Sequence, residues 1–96
     1  MKLTQNLTEL TKLAAMLVPL VEKGLTFTTK SSYDGAALLL YRNGESWGDV
    51  VINNGSYGCE KGLLEGGYGP FATPDGDDVW GWLKAEEAFE IISKAL

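Results

Sequence analysis

The first residue that could do chemistry is a single thiol. Cys59 lies in the glycine-rich stretch GSYGCEKGLLEGGYGP, which runs from Gly55 to Pro70. A cysteine nucleophile needs a base, usually histidine, to form the reactive thiolate. The chain of 96 residues contains no histidine. We therefore predict no catalytic role for Cys59 and no catalytic residue elsewhere, so the protein is not expected to be an enzyme.

A second candidate is a short acidic loop. Asp75, Asp77 and Asp78 crowd around one glycine in the segment PDGDD. Oxygen-rich loops bind Ca²⁺, but an EF-hand needs oxygen ligands at alternating positions and a helix before the loop. Valine and glycine occupy the inner ligand positions here. The spacing therefore favours a solvated turn, and we predict no metal site and no cofactor.

The glycines of residues 55–70 match neither common phosphate-binding pattern. A phosphate loop requires GxxxxGK[S/T], and Leu63 stands where lysine should follow Gly62. A dinucleotide fingerprint requires a helix after the glycines, whereas LLEGGYG is more typical of a strand. The stretch therefore predicts a wide turn or bulge and a strand, in which glycine permits positive φ and close backbone approach.

Charge is divided unevenly along the chain. The net charge is −5, but residues 1–44 carry +2 and residues 45–96 carry −7. An acidic half favours a partner protein with a basic surface. It argues against direct nucleic-acid binding, which needs a basic surface. The alternative is that the acids only keep a small domain in solution.

Two tryptophans stand beside these acids. Trp80 and Trp82 are two residues apart in the predicted strand VWGWL, a spacing that places both on one face. Tryptophan often anchors protein interfaces, although packing in the core is the commoner use of large aromatic side chains. The predicted partner-binding residues are Asp75, Asp77, Asp78, Trp80, Trp82, Glu86 and Glu87.

The elements that would position these residues predict one α+β domain over residues 1–96. Leucines at three- and four-residue spacing predict a first helix, with Asn6 and Glu9 as a capping box. Pro19 predicts a kink, or a short second segment over residues 19–23. Alternating segments and turn residues predict an antiparallel sheet of four to five strands, and residues 85–96 predict a last helix. We expect both helices to cover one face of the sheet.

Seven apolar residues are predicted to be buried together in the core. They are Leu7, Leu10, Leu17, Leu39, Val51, Phe89 and Ile92. The segment AALLLYR from Ala36 to Arg42 is apolar without alternation. Such a run predicts a strand that is central in the sheet or covered on both faces.

Composition also bears on the compartment. The sequence has no window of 18 apolar residues, so we predict no membrane span and no membrane partner. A single cysteine cannot form an internal disulfide. These features predict a cytoplasmic protein.

Two segments together resemble small uncharacterised phage and prophage proteins. They are GSYGCEKGLLE at residues 55–65 and DVWGWLKAEEAFEII at residues 78–92, about a quarter of the chain. The sequence departs from that pattern at Lys84, where threonine would cap the helix better. The resemblance implies a non-enzymatic accessory protein that binds a host protein in the host cytoplasm, and anti-CRISPR inhibitors are one group of such proteins. The alternative function is a small homodimeric structural or regulatory module.

Overall fold

The computed structural model describes residues 5–72 and 79–96. Within these ranges the chain forms two α-helices, five β-strands and three short 3₁₀ helices. The helices are α1 (Thr8–Leu17) and α2 (Ala85–Lys94). The strands are β1 (Leu25–Ser32), β2 (Gly35–Arg42), β3 (Glu45–Ile52), β4 (Leu64–Gly67) and β5 (Val79–Leu83). The 3₁₀ helices are Val18–Lys23, Cys59–Lys61 and Gly69–Phe71.

The strands form one antiparallel sheet in which each strand lies beside its neighbour in sequence, in the order β1-β2-β3-β4-β5. Two-residue turns, Tyr33–Asp34 and Asn43–Gly44, join the first three strands. All four turn residues have positive φ, as a type I′ turn requires, and this turn matches the natural twist of a hairpin. The predicted α+β fold, with an antiparallel sheet and a helix from each part of the chain, is confirmed.

Both helices pack on the same face of the sheet and against each other. Between them and the strands lies a core of fully buried aliphatic side chains, with one aromatic ring, that of Phe71. That ring lies directly over Gly66 of β4, where a Cβ atom would come within 2.3 Å of a ring carbon. The absence of a side chain at position 66 therefore makes room for the only aromatic ring among the fully buried side chains of the described residues.

Helix α1 ends at Leu17, and a 3₁₀ helix with Pro19 in its first turn follows directly. Proline has no N–H and fixes its φ, so it fits the first turn of a helix but not the interior. Gly24, at φ 88°, ends this segment in the left-handed conformation. The predicted short second segment is confirmed, and it begins one residue earlier than expected.

The predicted core is correct on the helix side of the sheet. Leu10, Leu17 and Ile92 are buried, and Leu7 and Phe89 are partly buried against them.

The prediction is wrong for Leu39 and Val51. Successive side chains of a strand point to opposite faces. The core contains Leu38 and Leu40, so Leu39 lies on the face opposite the helices. Val51 lies there too, beside buried Val50. Both side chains are only partly buried.

The two α-helices are short. Each has ten residues, about half the length that a helix needs to cross a bilayer. Among residues 5–72 and 79–96, no helix is long and apolar enough to cross a membrane.

Candidate functional site

The outer face is the face of the sheet opposite the helices, and it is the candidate site. Register across the strands places its side chains in two rows. One row is Lys30, Ala37, Val51 and Glu65, and the other is Thr28, Leu39, Asp49, Gly67 and Val79. Helices α1 and α2, which make the helix layer, both lie on the other side of the sheet.

The centre of the outer face is apolar, unlike a sheet face built only for water. An antiparallel sheet with one solvated face normally alternates apolar and polar residues along each strand. Strand β1 does so, with exposed Thr26, Thr28 and Lys30 on its outer side. Strand β2 instead places Ala37, which is buried, and Leu39, which is partly buried, there. The run AALLLYR is therefore apolar on both faces, and α1 and α2 cover one of them.

A bulge in β5 places Trp82 on the outer face. Leu83 pairs with Leu64, and Trp80 pairs with Gly66, so β5 has one residue more than β4 between these pairs. The extra residue puts both Gly81 and Trp82 opposite Glu65, with Trp82 at φ 55°. Trp80 consequently lies on the helix side. The two tryptophan rings therefore lie on opposite faces of the sheet. The prediction from their two-residue spacing, that they share one face, is wrong.

Trp82 stacks on Tyr57, which reaches the outer face from the loop after β3. The ring centroids are 5.3 Å apart and the planes differ by 21°. The Tyr57 N–H donates to Glu65 Oε1 at 2.9 Å, and the Trp82 N–H donates to the Tyr57 carbonyl at 3.3 Å. Gly81 allows this contact, since a Cβ atom there would lie 2.4 Å from the Tyr57 Cβ. Tyr57 is 56% exposed and Trp82 is 53% exposed, so the pair stays open to a partner.

Two carboxylates border the apolar centre: Glu65 lies between the aromatic pair and Val51, and Asp49 lies beside Leu39. Partial burial raises the pKa of Asp49 above its usual range. The negative charge of Glu65 raises it further, and Lys30 opposes the rise. A carboxylate that is destabilised by burial and by a like charge is stabilised when a cation approaches. The electrostatics of the outer face therefore favour a basic group.

The sequence-predicted acids fall in two places. Asp75, Asp77 and Asp78 lie outside the described residues. Glu86 forms an exposed ion pair with Lys12 of α1. The side-chain hydrogen bond within this ion pair lowers the pKa of Glu86 and raises the pKa of Lys12.

The remaining predicted residues lie beside α2. Glu87 Oε1 accepts the backbone N–H of Lys84 at 2.9 Å and so closes the start of the helix. Trp80 borders a shallow groove whose other side is formed by Glu87 and Ile91. The structure thus brings Trp80 and Glu87 together on the helix side, and it separates both from Trp82.

Cys59 lies in the 3₁₀ helix Cys59–Lys61 and is partly buried. Its Sγ atom is 3.7 Å from Glu60 Oε2. Within residues 5–72 and 79–96, no three carboxylate or thiol side chains gather as metal ligands would.

Sequence reasoning missed Tyr57, Asp49 and Glu65 as members of the candidate site. A signal for the two acids was available, because alternation in DVVI and LLEGG places Asp49 and Glu65 opposite the core-facing side chains. Tyr57 carried no such signal, since a loop residue has no periodicity to show where it points.

Comparison with known proteins finds no matching family, no similar curated protein and no similar solved structure.

Proposed function

We propose that this protein binds another protein through the outer face, and that it acts by binding rather than by catalysis. The observation that carries the proposal is the apolar centre of the outer face beside the exposed Tyr57–Trp82 pair. Partly buried apolar surface flanked by exposed aromatic side chains is typical of protein interaction sites.

The partner surface would be apolar with basic side chains at its rim. Leu39 and Val51 would cover apolar groups, and Trp82 would be the anchor. An arginine or lysine of the partner could pack on the aromatic pair as a cation–π contact and pair with Asp49 or Glu65. Charges of this kind mainly raise the association rate.

The biological role that fits this surface is that of a phage or mobile-element accessory protein that blocks a host protein. Two features support it: the resemblance of residues 55–65 and 78–92 to phage proteins, and the net charge of −7 over residues 45–96. Components of host defence systems such as CRISPR–Cas, many of which bind nucleic acids through basic surfaces, are the first class of partner to test.

The test uses a pair of matched tryptophan variants. Trp82→Ala removes the anchor of the outer face. Trp80→Ala removes the same side chain from the same strand on the opposite face, where Trp80 is 47% exposed. A host protein retained from lysate by the wild type and by Trp80→Ala, and lost by Trp82→Ala, would support the proposal. Loss with Trp80→Ala alone would move the site to the helix side and contradict it.

The role against host defence has its own test. The protein and both variants are produced in a bacterium with active CRISPR–Cas, and phage plaques are counted. We expect the wild type and Trp80→Ala to restore plaques, and Trp82→Ala to fail. Unchanged plaque numbers with the wild type would remove the defence-inhibitor role while leaving partner binding to the capture experiment.

A further inference from the structure

The outer edge of β1 has the geometry to accept another strand. β1 pairs with β2 over eight residues without a register shift. The Asn43 N–H donates to the Gly24 carbonyl at 2.8 Å. Because hydrogen-bonded and non-hydrogen-bonded pairs alternate in an antiparallel ladder, even-numbered residues of β1 bond to β2. The odd-numbered residues, which are Leu25, Phe27, Thr29 and Ser31, direct their N–H and C=O groups outward.

The other edge of the sheet lacks this geometry. β5 has only five residues and contains the bulge at Gly81 and Trp82. The Trp82 N–H is already bonded to the Tyr57 carbonyl. Short strands, bulges, prolines and charges normally protect an edge from pairing. β1 has no bulge, no proline and one charged side chain, Lys30, so it is the less protected edge.

Apolar surface on the helix side runs along the β1 edge. Val18 and Val21 of the first 3₁₀ helix are 59% and 58% exposed. They line an apolar groove of about 290 Å³ together with Phe27. A second apolar groove, of about 270 Å³, is lined by Leu7, Ala14 and other residues of α1, β1 and β2. A strand added at β1 would place alternate side chains over these grooves.

We propose that the added strand is β1 of a second copy of this chain, which pairs antiparallel about a two-fold axis at Thr28. In this register Leu25 faces Ser31 and Phe27 faces Thr29 in both directions. Phe27 and Thr29 then form two hydrogen-bonded pairs about the axis, whereas Leu25, which is only 2% exposed, is covered within its own chain. The two sheets become one continuous sheet with all four α-helices on the same side.

Charge and apolar surface agree with this register. Lys30 faces Thr26 of the second copy, so the strand's one charge does not meet a like charge. The chain reverses direction between α1 and β1, so the grooves lie at opposite ends of β1. The two-fold axis therefore brings the groove at Val18 and Val21 of one copy beside the Leu7 end of α1 in the other. Apolar side chains of each copy thus lie beside the exposed apolar groove of the other.

Cross-linking tests the register. In a Cys59→Ser background, Thr28→Cys places two thiols opposite each other in a non-hydrogen-bonded pair, about 4.5 Å apart at Cα. That distance permits a disulfide. Lys30→Cys is the matched control on the same face, because its two copies are offset by four residues, or about 13 Å along the strand. We expect mild oxidation to give a disulfide-linked dimer with Thr28→Cys and no disulfide link with Lys30→Cys. Equal cross-linking of both variants would overturn the register.

Sedimentation tests the association itself. We expect a concentration-dependent dimer of about 20.8 kDa, twice the 10.4 kDa of one chain. Thr29→Pro should give a monomer with an unchanged far-ultraviolet spectrum, because the Thr29 N–H points away from β2. A wild type that stays monomeric up to its solubility limit would overturn the inference. Binding of an unrelated peptide at β1 would not restore it, because the inference names a second copy of this chain as the partner. A dimer that survives Thr29→Pro would also overturn the inference. If that variant fails to fold, the Thr28→Cys and Lys30→Cys pair decides. The outcome does not depend on the proposed function of the outer face.

Discussion

Glu9 links the two helices through a hydrogen bond, and we expect its removal to lower the free energy of unfolding. Glu9 is on α1, yet its Oε1 atom accepts the backbone N–H of Ala85, the first residue of α2, at 2.8 Å. Ala85 is fully buried. A hydrogen bond to a charged group contributes about 1.5–3 kcal/mol, and a negative charge at a helix N-terminus contributes about 0.3–1 kcal/mol.

We therefore expect Glu9→Ala to lower the free energy of unfolding by about 2 kcal/mol. For a domain of this size, each kcal/mol shifts Tm by about 4–8 °C, so Tm should fall by about 8–16 °C. Urea unfolding gives the free energy, and an unchanged m-value would show that the unfolded state is unaffected.

Glu9→Gln is the matched control, because the amide keeps an oxygen acceptor and loses only the charge. It should cost about 1 kcal/mol or less. Glu86→Ala, which removes an exposed charge from the first turn of the same helix, should cost much less than Glu9→Ala. If Glu9→Ala is no more destabilising than Glu86→Ala, water replaces Glu9 as the acceptor and the reasoning fails.

Three further outcomes are expected. Gly66→Ala should destabilise the fold by about 1–3 kcal/mol, as overpacking does, and should cost less when Phe71→Leu removes the ring; equal cost in both backgrounds would show that the ring is not the obstacle. Asp49→Asn should raise stability at neutral pH. The raised pKa of Asp49 means that the folded state binds its proton more tightly, so wild-type stability falls as pH rises through that pKa. The gain should vanish in acid, and a gain that persists there, measured by unfolding at several pH values, would contradict the assignment. Cys59→Ser should leave Tm and partner capture unchanged, and loss of capture on selective labelling of the wild-type thiol would reverse this expectation.

Local signals in the sequence predicted the elements well. Turn residues such as Asn43–Gly44, the alternation of β1 and the position of Pro19 each depend on a few neighbouring residues. Each was confirmed, because φ preferences and side-chain alternation act over the same short range.

The failures involve choices between partners that are distant in sequence. Asn6 and Glu9 have the spacing of a capping box, but the Asn6 side chain accepts the N–H of Thr8, whereas Glu9 caps α2. That choice depends on where α2 docks. The residue before α2 is Lys84, whose side chain has no hydrogen-bond acceptor. This feature of the sequence indicated that another residue would accept the first N–H groups of α2.

The candidate site was harder to predict than the fold. The bulge in β5 reverses the side to which Trp82 points, and no periodic pattern shows an inserted residue. Leu39 was assigned to the core because it is apolar, and only the register showed that it lies on the outer face.

The bonds from Glu9 to Ala85 and from Lys12 to Glu86 span 76 and 74 residues, whereas every strand pairs with its immediate neighbour in the chain. Contacts between near neighbours form quickly, and contacts across a long loop form slowly. The strand meander can therefore assemble while α2 is still unbound, and docking of α2 completes the domain. During synthesis, the part of the helix side that α2 covers, over β4 and β5, remains open until α2 leaves the ribosome. For that interval the nascent chain exposes its core as well as the outer face, and it is most vulnerable to aggregation.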